Sequence, residues 1–600
     1  MLRQCVELAV RLEETGDLLP LGYKRFSNNS PIQWIVEVDV DGRVDVREAD
    51  IDDPRPARDR SGKPSESNLK PYLLADQAKY AVGIPEDGDE SEAELLSRGF
   101  RDLISEAYEA TGIEDLSSLV DGLENLDPKD PALDGIEPKE FVTVTTVNGG
   151  LMFEREPIRE FWASYVQRAF TSDDVGTCSI CGSERPILQT LPQKVTLLGE
   201  TCHISSFNRT AFESHGKKQT LNASICYPCG ARAAQALNYL TKNSEHNFRI
   251  TEDQLAVFWT TTGGIETEDG QSIDLAAQIK ASLEGDVDDE ETSGASLAEV
   301  EEILRVPWTA REPSLLIEDG VFLAVISPNK ARLVVREWMT ASPDEFKRHL
   351  RNFLDVQRIE GPWGEPPTAF GLRQIITPLE AQVIDTESRR VATYAPVEPN
   401  LTRALLRTAY TGIPPPVGLE ARIVHKLQNP SLWKLPWLTH RAMALLNLAR
   451  STRQGPFQGD NMPEGTSERL DPQNTSTAYR CGRLLAVLED IQGQAQGWNL
   501  NTTIVDRNFT AASTAPALTF PRLLQLAETA HIPKIRRDKG DKFVRENLEE
   551  VVSAIGSFPT ALGTKEQGDF SLGFYHQRAE FRRKRDEYLS QQEETPEADQ

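Results

Sequence analysis

The amino-acid sequence predicts a multidomain α+β protein, and three observations lead to this fold class. The chain has 600 residues, which is too long for one hydrophobic core when domains usually hold roughly 100–200 residues. Strand-like alternation of apolar and polar residues occurs at several places before residue 400, whereas apolar residues at helical spacing prevail beyond it. Two Cys-x-x-Cys pairs enclose a long insertion. We therefore expect mixed α/β N-terminal and middle regions with a zinc-ribbon-like insertion, followed by a C-terminal helical bundle.

Composition restricts the class of protein further. Hydrophobic residues make up 39% and charged residues 26% of the chain, as in ordinary globular proteins. No apolar run reaches the roughly 20 residues that span a bilayer, and Glu7 stands where a signal peptide would be apolar. Five of the seven cysteines lie between Cys178 and Cys229, which argues against a secreted disulfide framework. We expect a cytoplasmic protein.

The net charge of -28 lowers the expectation of nucleic-acid binding, because phosphates attract lysine and arginine. The acidic residues are concentrated, however, in residues 86–90, 284–291 and 593–599. Basic clusters stand elsewhere in the chain. Local surfaces can therefore still bind a polyanion, and the acid elsewhere can serve solubility.

The first two regions are predicted from strand, turn and linker patterns. Residues 1–140 form an N-terminal α/β region, in which residues 31–40 alternate like a strand and Asp41-Gly42 marks a turn. An irregular basic stretch covers residues 54–79, and an acidic helix follows at Glu92. Residues 141–282 form a zinc-ribbon-containing domain, with an aromatic-rich helix before the cysteines and a helix over Ala231–Leu240 after them.

The remaining regions are predicted from charge and periodicity. Residues 283–299 have the low hydrophobicity and high charge of a disordered acidic loop. Residues 300–399 form a β-rich middle domain whose runs 321–327 and 331–336 predict a hairpin around Pro328-Asn329-Lys330. Residues 400–461 form a helical connector, and residues 462–600 form the C-terminal helical bundle.

The two Cys-x-x-Cys pairs are the strongest local signal. They supply four thiolates that suit tetrahedral Zn²⁺: Cys178, Cys181, Cys226 and Cys229. With 44 residues between the pairs, the metal would close a long insertion and leave no coordination position for a catalytic water. The sequence therefore predicts structural zinc, and the alternative is four reduced, buried thiols.

Three groups of polar and basic residues are candidates for binding phosphate. The loop between the two cysteine pairs offers the side chains of Asn208, Lys217, Lys218, Gln219 and Asn222. Two C-terminal basic clusters offer those of Lys534, Arg536, Arg537, Arg582 and Arg583. The alternative interpretations are a polar loop held by its own hydrogen bonds and solvated helix faces.

Signatures of enzymes are missing from the sequence. It contains no GxxxxGK[ST], HExxH or GxSxG motif. Although carboxylates are abundant, no spacing singles out a pair for acid–base catalysis. The sequence therefore predicts a protein that is not an enzyme.

Six segments in a fixed order resemble one family. They are residues 68–83, 206–223, 326–336, 405–414, 474–484 and 558–577, beginning with Asn-Leu-Lys-Pro-Tyr and ending with Phe-Tyr-His-Gln. In this order the chain resembles, over almost its full length, the Csd-type CRISPR-associated proteins, which are large subunits of type I-C Cascade. The second Cys-x-x-Cys departs from the family pattern, so zinc would be a feature of a subgroup.

The resemblance implies a non-catalytic subunit in antiviral defence. Such a subunit recognises the protospacer-adjacent motif (PAM) in double-stranded target DNA, supports R-loop formation and recruits the helicase-nuclease, while crRNA pairing reads the target sequence. Its implied partners are the crRNA, the crRNA-bearing backbone subunits, the target duplex and the displaced non-target strand. Motif readout is expected near the N terminus, from Lys63, Asn68, Lys70, Gln77 and Lys79.

The resemblance also implies a separate small subunit made by internal translation. Met462 would start a product of residues 462–600, and Met443 is the other candidate start. Two further functions stay open. One is a metal-dependent nuclease of a defence system, which needs a carboxylate cluster. The other is a zinc-ribbon scaffold without a nucleic-acid role.

Overall fold

The computed structural model of the chain describes most of its residues. They are 1–24, 31–58, 64–66, 68–207, 210–261, 265–266, 272–285, 297–305, 320–385, 387–388, 390–451, 468–498, 500, 502–538 and 540–593. Within them the predicted mixed α+β class is confirmed. The chain divides into a first unit, Met1–Tyr239 with Pro328–Val334, and a second unit, Leu240–Ser327 with Val335–Gln600.

The finer division into six regions stays a prediction. Most of its acidic loop, residues 286–296, lies outside the described residues, as do Lys63, Asn208 and Met462.

Among the described residues, no helix combines the length and the apolar character that crossing a bilayer requires.

The first unit contains short strands between helices. Its helices are α1 (Leu2–Thr15), α2 (Ala78–Ala81), α3 (Glu90–Thr111), α4 (Glu114–Asn125), α5 (Glu156–Gln167) and the beginning of α6 (Tyr227–Lys242). Its strands are β1 (Tyr23–Lys24), β2 (Ile32–Val38), β3 (Val44–Ile51), β4 (Arg55–Pro56), β5 (Ala75–Gln77), β6 (Phe141–Thr145), β7 (Thr171–Thr177), β8 (Glu184–Leu188), β9 (Val195–Leu197) and β10 (Glu200–Cys202).

A four-stranded sheet of order β3-β2-β6-β5 forms the centre of the first unit. Strands β2 and β6 are parallel, and the other neighbours are antiparallel. The strand predicted over residues 31–40 is confirmed as β2, whose Ile32, Val36 and Val38 are buried. Helix α3 contributes Leu96 and Phe100 to the same core. The remaining strands form three two-stranded ribbons, β1-β4, β7-β8 and β9-β10.

The second unit is mainly helical. Its helices are α7 (Leu275–Glu284), α8 (Leu297–Arg305), α9 (Pro343–Asp355), α10 (Leu372–Glu380), α11 (Pro399–Thr411), α12 (Leu419–Leu427), α13 (Pro436–Arg450), α14 (Thr477–Gln496), α15 (Ile504–Thr514), α16 (Pro516–Leu526), α17 (Ile532–Asp538), α18 (Lys542–Ile555) and α19 (Thr564–Glu593). Its strands are β11 (Asn247–Thr251), β12 (Gln254–Thr260), β13 (Ile265–Glu266), β14 (Ser272–Ile273), β15 (Val321–Asn329), β16 (Arg332–Ala341), β17 (Ala381–Asp385) and β18 (Arg390–Tyr394). The end of β15 and the start of β16, within residues 328–334, belong to the first unit.

The predicted hairpin is present as β15 and β16, in a sheet of order β11-β12-β15-β16. Its turn begins two residues later than the sequence pattern predicts, because β15 continues through Asn329. The turn residues are Lys330 and Ala331, with φ of 50° and 61°. Two consecutive positive φ angles give a turn whose twist matches that of the strands. This explains why the turn is formed by Lys330 and Ala331 rather than by Pro328-Asn329-Lys330.

One continuous hydrophobic core supports the helices of the second unit. It includes Leu446 of α13, Leu484 of α14, and Phe570 and Phe574 of α19. A buried ion pair also joins these helices, since Arg450 Nε lies 2.9 Å from Glu420 Oε1 and Arg450 Nη1 lies 2.8 Å from Asp569 Oδ1. Helices from both sides of residue 462 therefore pack as one body.

Candidate functional site

The four predicted zinc ligands come together in the first unit. Cys178 and Cys181 lie on the turn between β7 and β8, whereas Cys226 directly precedes α6 and Cys229 lies in its first turn. Their sulfur atoms are all within 4.8 Å of one another, although the pairs are far apart in sequence. All four thiols are free rather than joined as disulfides, and three of them are buried.

Backbone hydrogen bonds hold the first cysteine pair in a knuckle. The Cys178 N–H donates to Ser183 O at 2.9 Å, which closes the turn. The N–H groups of Ile180 and Cys226 both donate to Cys178 Sγ at 3.4 Å. Donors aimed at sulfur stabilise a thiolate, so this geometry suits a metal ligand.

The donor set fits a tetrahedral metal ion. Sulfur atoms that surround Zn²⁺ at about 2.3 Å are about 3.8 Å apart, and Cys181 Sγ lies 3.9 Å from Cys226 Sγ. A hydrogen bond from Cys229 lowers the pKa of Cys226, against the effect of burial. Cys202 lies on β10 and is not part of the group that could hold a metal.

The loop between the cysteine pairs is held partly by its own side chains. The Asn222 amide accepts a hydrogen bond from Ser214 N–H at 3.1 Å and donates to Lys217 O at 2.9 Å and Gln219 O at 3.1 Å. For Asn222, the alternative of a polar loop held by its own hydrogen bonds therefore applies. Lys217, Lys218 and Gln219 are exposed. Among the described residues, neither lysine ammonium has a hydrogen-bond or acidic partner.

The sequence interpretation missed one cation near this loop. The Arg332 guanidinium lies 5.4 Å from the centre of the half-exposed Phe212 ring. The position is fixed because the His203 N–H donates to Ala331 O at 2.8 Å and the Leu333 N–H donates to His203 O at 3.0 Å. No local pattern connects Arg332 with Phe212, since 119 residues separate them. The resemblance included the segment 326–336 without giving it a role.

The predicted N-terminal DNA-binding residues are close in sequence but differ in surroundings. Asn68 and Lys70 are half-buried, and Gln77 ends β5. Between them the buried Asp76 carboxylate accepts hydrogen bonds from Tyr72 N–H at 2.7 Å and Gln77 N–H at 2.6 Å. The Asp76 carboxylate therefore fixes residues 72–77 within the irregular basic stretch.

Lys79 is already engaged by an acidic residue that the sequence interpretation missed. Its Nζ lies 2.5 Å from Glu86 Oε2, and the other oxygen of the same carboxylate lies 2.5 Å from Lys139 Nζ. Hydrogen bonds from Lys139 and then Lys79 lower the pKa of Glu86 to about 2. The sequence pattern at 86–90 indicates only general acidity, because neither lysine is adjacent to Glu86 in the chain.

The C-terminal basic clusters also divide into exposed and engaged residues. Lys534 and Arg536 are exposed on α17, and the Arg537 side chain lies outside the described residues. Arg582 Nη1 donates to Pro362 O at 3.1 Å, and burial lowers the pKa of Arg582 to about 10. Arg583 Nη2 lies 2.7 Å from Glu580 Oε2 and its Nη1 lies 2.6 Å from Glu587 Oε1.

An open groove of about 740 Å³ lies in the second unit beside α19. Its charged side chains are largely paired, because Arg578 Nε lies 3.0 Å from Glu489 Oε2 and Lys434 Nζ lies 3.1 Å from Asp506 Oδ1. Two half-exposed indole rings line the groove, and a guanidinium group stacks over each. Arg582 Cζ lies 4.4 Å from the centre of the Trp363 ring, and Arg585 Cζ lies 4.3 Å from the centre of the Trp498 ring.

Across the part of the chain that the structure describes, the four cysteines are the one group of His, Cys, Asp or Glu side chains that could hold a metal. A carboxylate cluster of the kind that a metal-dependent nuclease needs is therefore not found among these residues.

Comparison with known proteins supplies the family. A search of curated proteins finds no significant match. Residues 6–582 match the family described as CRISPR-associated protein (Cas_Csd1). The match covers nearly the whole chain, from α1 to α19, and includes all six segments on which the resemblance was based. The chain therefore belongs to the Cas_Csd1 family of CRISPR-associated proteins.

Proposed function

We propose that this protein is the non-catalytic large subunit of a type I-C Cascade. In this role it recognises the PAM in the target duplex, supports the R-loop and recruits the helicase-nuclease. The observation that carries the proposal is the family match over residues 6–582, because it covers nearly the whole chain rather than a single domain. The proposed partners are the crRNA-bearing backbone subunits, the crRNA and both DNA strands.

Exposed cations support contact with DNA despite the net charge of -28. Lys217 and Lys218 present ammonium groups on the insertion loop, and Lys534 and Arg536 are exposed on α17. Each lysine or arginine that meets a phosphate releases counterions, which favours association. Lys79, Arg582 and Arg583 have intramolecular partners in this structure, so DNA would have to replace those contacts.

The non-catalytic part of the proposal rests on the described residues. They contain no carboxylate or histidine cluster that could hold catalytic metal ions. Recruiting a nuclease would then supply the cleavage. The alternative, a metal-dependent nuclease, predicts that the purified chain cleaves DNA when Mg²⁺ or Mn²⁺ is added. We expect no cleavage by the chain alone.

We further propose that Cys178, Cys181, Cys226 and Cys229 hold a structural zinc ion. Bound zinc would supply four metal–sulfur bonds that join the β7–β8 turn to the start of α6. Metal analysis should find about one zinc per chain, and Cys226→Ser should remove the metal and lower the thermal midpoint. Cys202→Ser is the matched control, because it changes a buried thiol outside the cluster. If the wild type contains no metal and a chelator leaves its thermal midpoint unchanged, the alternative of four reduced, buried thiols is favoured.

DNA binding is tested on the crRNA-loaded complex with PAM-containing and PAM-lacking duplexes. In Lys217→Ala/Lys218→Ala, the slope of log affinity against log salt should become shallower by up to about 1.8, or about 0.9 for each lost phosphate contact. Arg43→Ala/Lys129→Ala removes two exposed cations outside the predicted set and is the control. If the complex binds PAM-containing DNA equally well without this subunit, the proposal is wrong.

A further inference from the structure

Three segments of the first unit meet at the Glu86 bridge, which consists of Glu86, Lys79 and Lys139. Each carboxylate oxygen of Glu86 lies 2.5 Å from one lysine Nζ. The Lys79 side chain is 19% exposed and that of Glu86 is 27% exposed, so solvent screens this pair only partly. The bridge thus places one anion between two cations at the surface.

The backbone around the bridge holds it in place. The Asp89 N–H donates to Glu86 O at 3.0 Å, and this turn has left-handed residues at Asp87 and Gly88, with φ of 51° and 79°. Aspartate and glycine are among the residues that tolerate this conformation. Asp89 then caps α3 by accepting a hydrogen bond from Glu92 N–H at 3.0 Å. The turn therefore presents Glu86 from a fixed position.

The two lysines are fixed next to each other by a second set of contacts. The N–H groups of Ala78 and Lys79 donate to Glu140 O at 2.8 Å and Pro138 O at 3.1 Å. These bonds join α2 to the segment that carries Lys139. A pair of lysines held this way would suit a phosphate group, whose oxygens also accept from two ammonium groups at once. Glu86 occupies that place.

We propose that Glu86 acts as an internal phosphate mimic that weakens PAM-independent DNA binding by occupying Lys79 and Lys139. This inference rests on the proposed function. DNA without a PAM gains only phosphate contacts from this surface, and it must first displace a carboxylate that is covalently part of the same chain. A PAM-containing duplex gains base contacts in addition, so it stays bound when this phosphate contribution is reduced.

The inference is tested with Glu86→Gln in the crRNA-loaded complex, using duplex DNA without a PAM. Freeing two lysines should tighten binding about tenfold at about 0.1 M salt and steepen the salt slope by up to about 1.8. Glu86→Asp is a second variant, because its shorter side chain reaches both lysines less well and should give a smaller gain. Adding Lys79→Ala to Glu86→Gln should remove most of the gain.

Glu90→Gln is the matched control. It removes the same charge four residues away, where Glu90 Oε1 lies 2.9 Å from the exposed Lys129 Nζ. If Glu90→Gln tightens binding as much as Glu86→Gln, the effect is general charge, and the inference is wrong. It is also wrong if Glu86→Gln changes nothing while the wild-type complex binds PAM-containing DNA. Failure of the wild-type complex to bind that DNA would instead contradict the proposed function.

Discussion

Single residues show why a basic cluster in a sequence does not by itself predict a DNA contact. Arg582 donates to Pro362 O, which lies 220 residues away in the chain. Arg583, its neighbour, pairs with acids on its own helix. Lys217 and Lys218 are exposed instead. Sequence reasoning found all four cations, but only three-dimensional contacts separate the engaged ones from those turned to solvent.

The cysteine site was predictable to the residue for a different reason. Metal ligands need a fixed residue type at a fixed short spacing, so two Cys-x-x-Cys pairs single out four thiols that would lie together. The prediction that these thiols lie together is confirmed by sulfur atoms within 4.8 Å of one another. Glu86 has no such signature, because its partners are Lys79 on one segment and Lys139 on another.

His440 gives a pH-dependent prediction at the residue scale. Burial lowers its pKa from the ordinary 6.5, and the neutral ring donates Nε2–H to Ile359 O at 3.0 Å. In the unfolded chain His440 is therefore protonated near pH 6.5, whereas in the folded chain it is protonated only at lower pH. This contribution to stability is complete above pH 6.5 and is lost as the pH falls below it, by at most about 1.4 kcal/mol per pH unit.

His440→Gln should therefore reduce the loss of stability between pH 7 and pH 5.5, because it removes the titrating group. Denaturant midpoints of wild type and variant across this range measure the effect. The same substitution at the exposed His425 is the control and should leave the wild-type pH dependence in place. Parallel curves for His440→Gln and wild type would contradict the prediction.

At the scale of elements, helices α14 and α19 cross in close backbone contact. A Cβ atom at Gly482 would lie 1.9 Å from Phe570 O, and one at Gly573 would lie 2.0 Å from Tyr479 O. These neighbours are backbone atoms, which cannot rotate away as a side chain can. The two helices approach this closely because both positions lack a side chain.

Gly482→Ala should force the helices apart and lower the free energy of unfolding by about 1–3 kcal/mol or more. Gly563→Ala is the control, since its Cβ would meet only Glu566 Oε2 at 3.6 Å. Chemical denaturation of the two variants compares them directly. An unchanged midpoint for Gly482→Ala would show that the crossing relaxes at little cost.

Element prediction from sequence succeeded where one face of a helix or strand is buried. The helical character predicted beyond residue 400 is present as α11 to α19. Helix α19 was not recognised as one 30-residue element. Its first half is buried around much of its circumference, so the sequence has no single apolar stripe there, and its second half is rich in charge.

At the scale of the whole molecule, whose net charge is -28, added salt acts on folding and on DNA binding in opposite directions. Self-repulsion destabilises the folded chain, and salt screens it. The thermal midpoint of the free chain should therefore rise between about 50 mM and about 500 mM salt, while the DNA affinity of the complex falls. A falling midpoint would mean that ion pairs such as that of Arg450 outweigh the repulsion.

The C-terminal helices depend on residues that precede the predicted internal start at Met462. The Trp433 ring lies 4.8 Å from the Phe574 ring, and Tyr575 Oη donates to Glu360 O at 2.8 Å. Arg450 binds Asp569 across the same boundary. The product 462–600 would lack all of these partners. If it is made, it needs another protein surface to cover the apolar side chains that these contacts bury here.

The first unit is discontinuous in sequence, and this affects the order in which it can fold on the ribosome. Residues 328–334 complete it by pairing with the backbone of His203. These hydrogen bonds cannot form until nearly a hundred further residues have been synthesised beyond Tyr239. During that interval the backbone N–H and C=O groups of His203 lack these partners and stay open to other hydrogen-bonding chains.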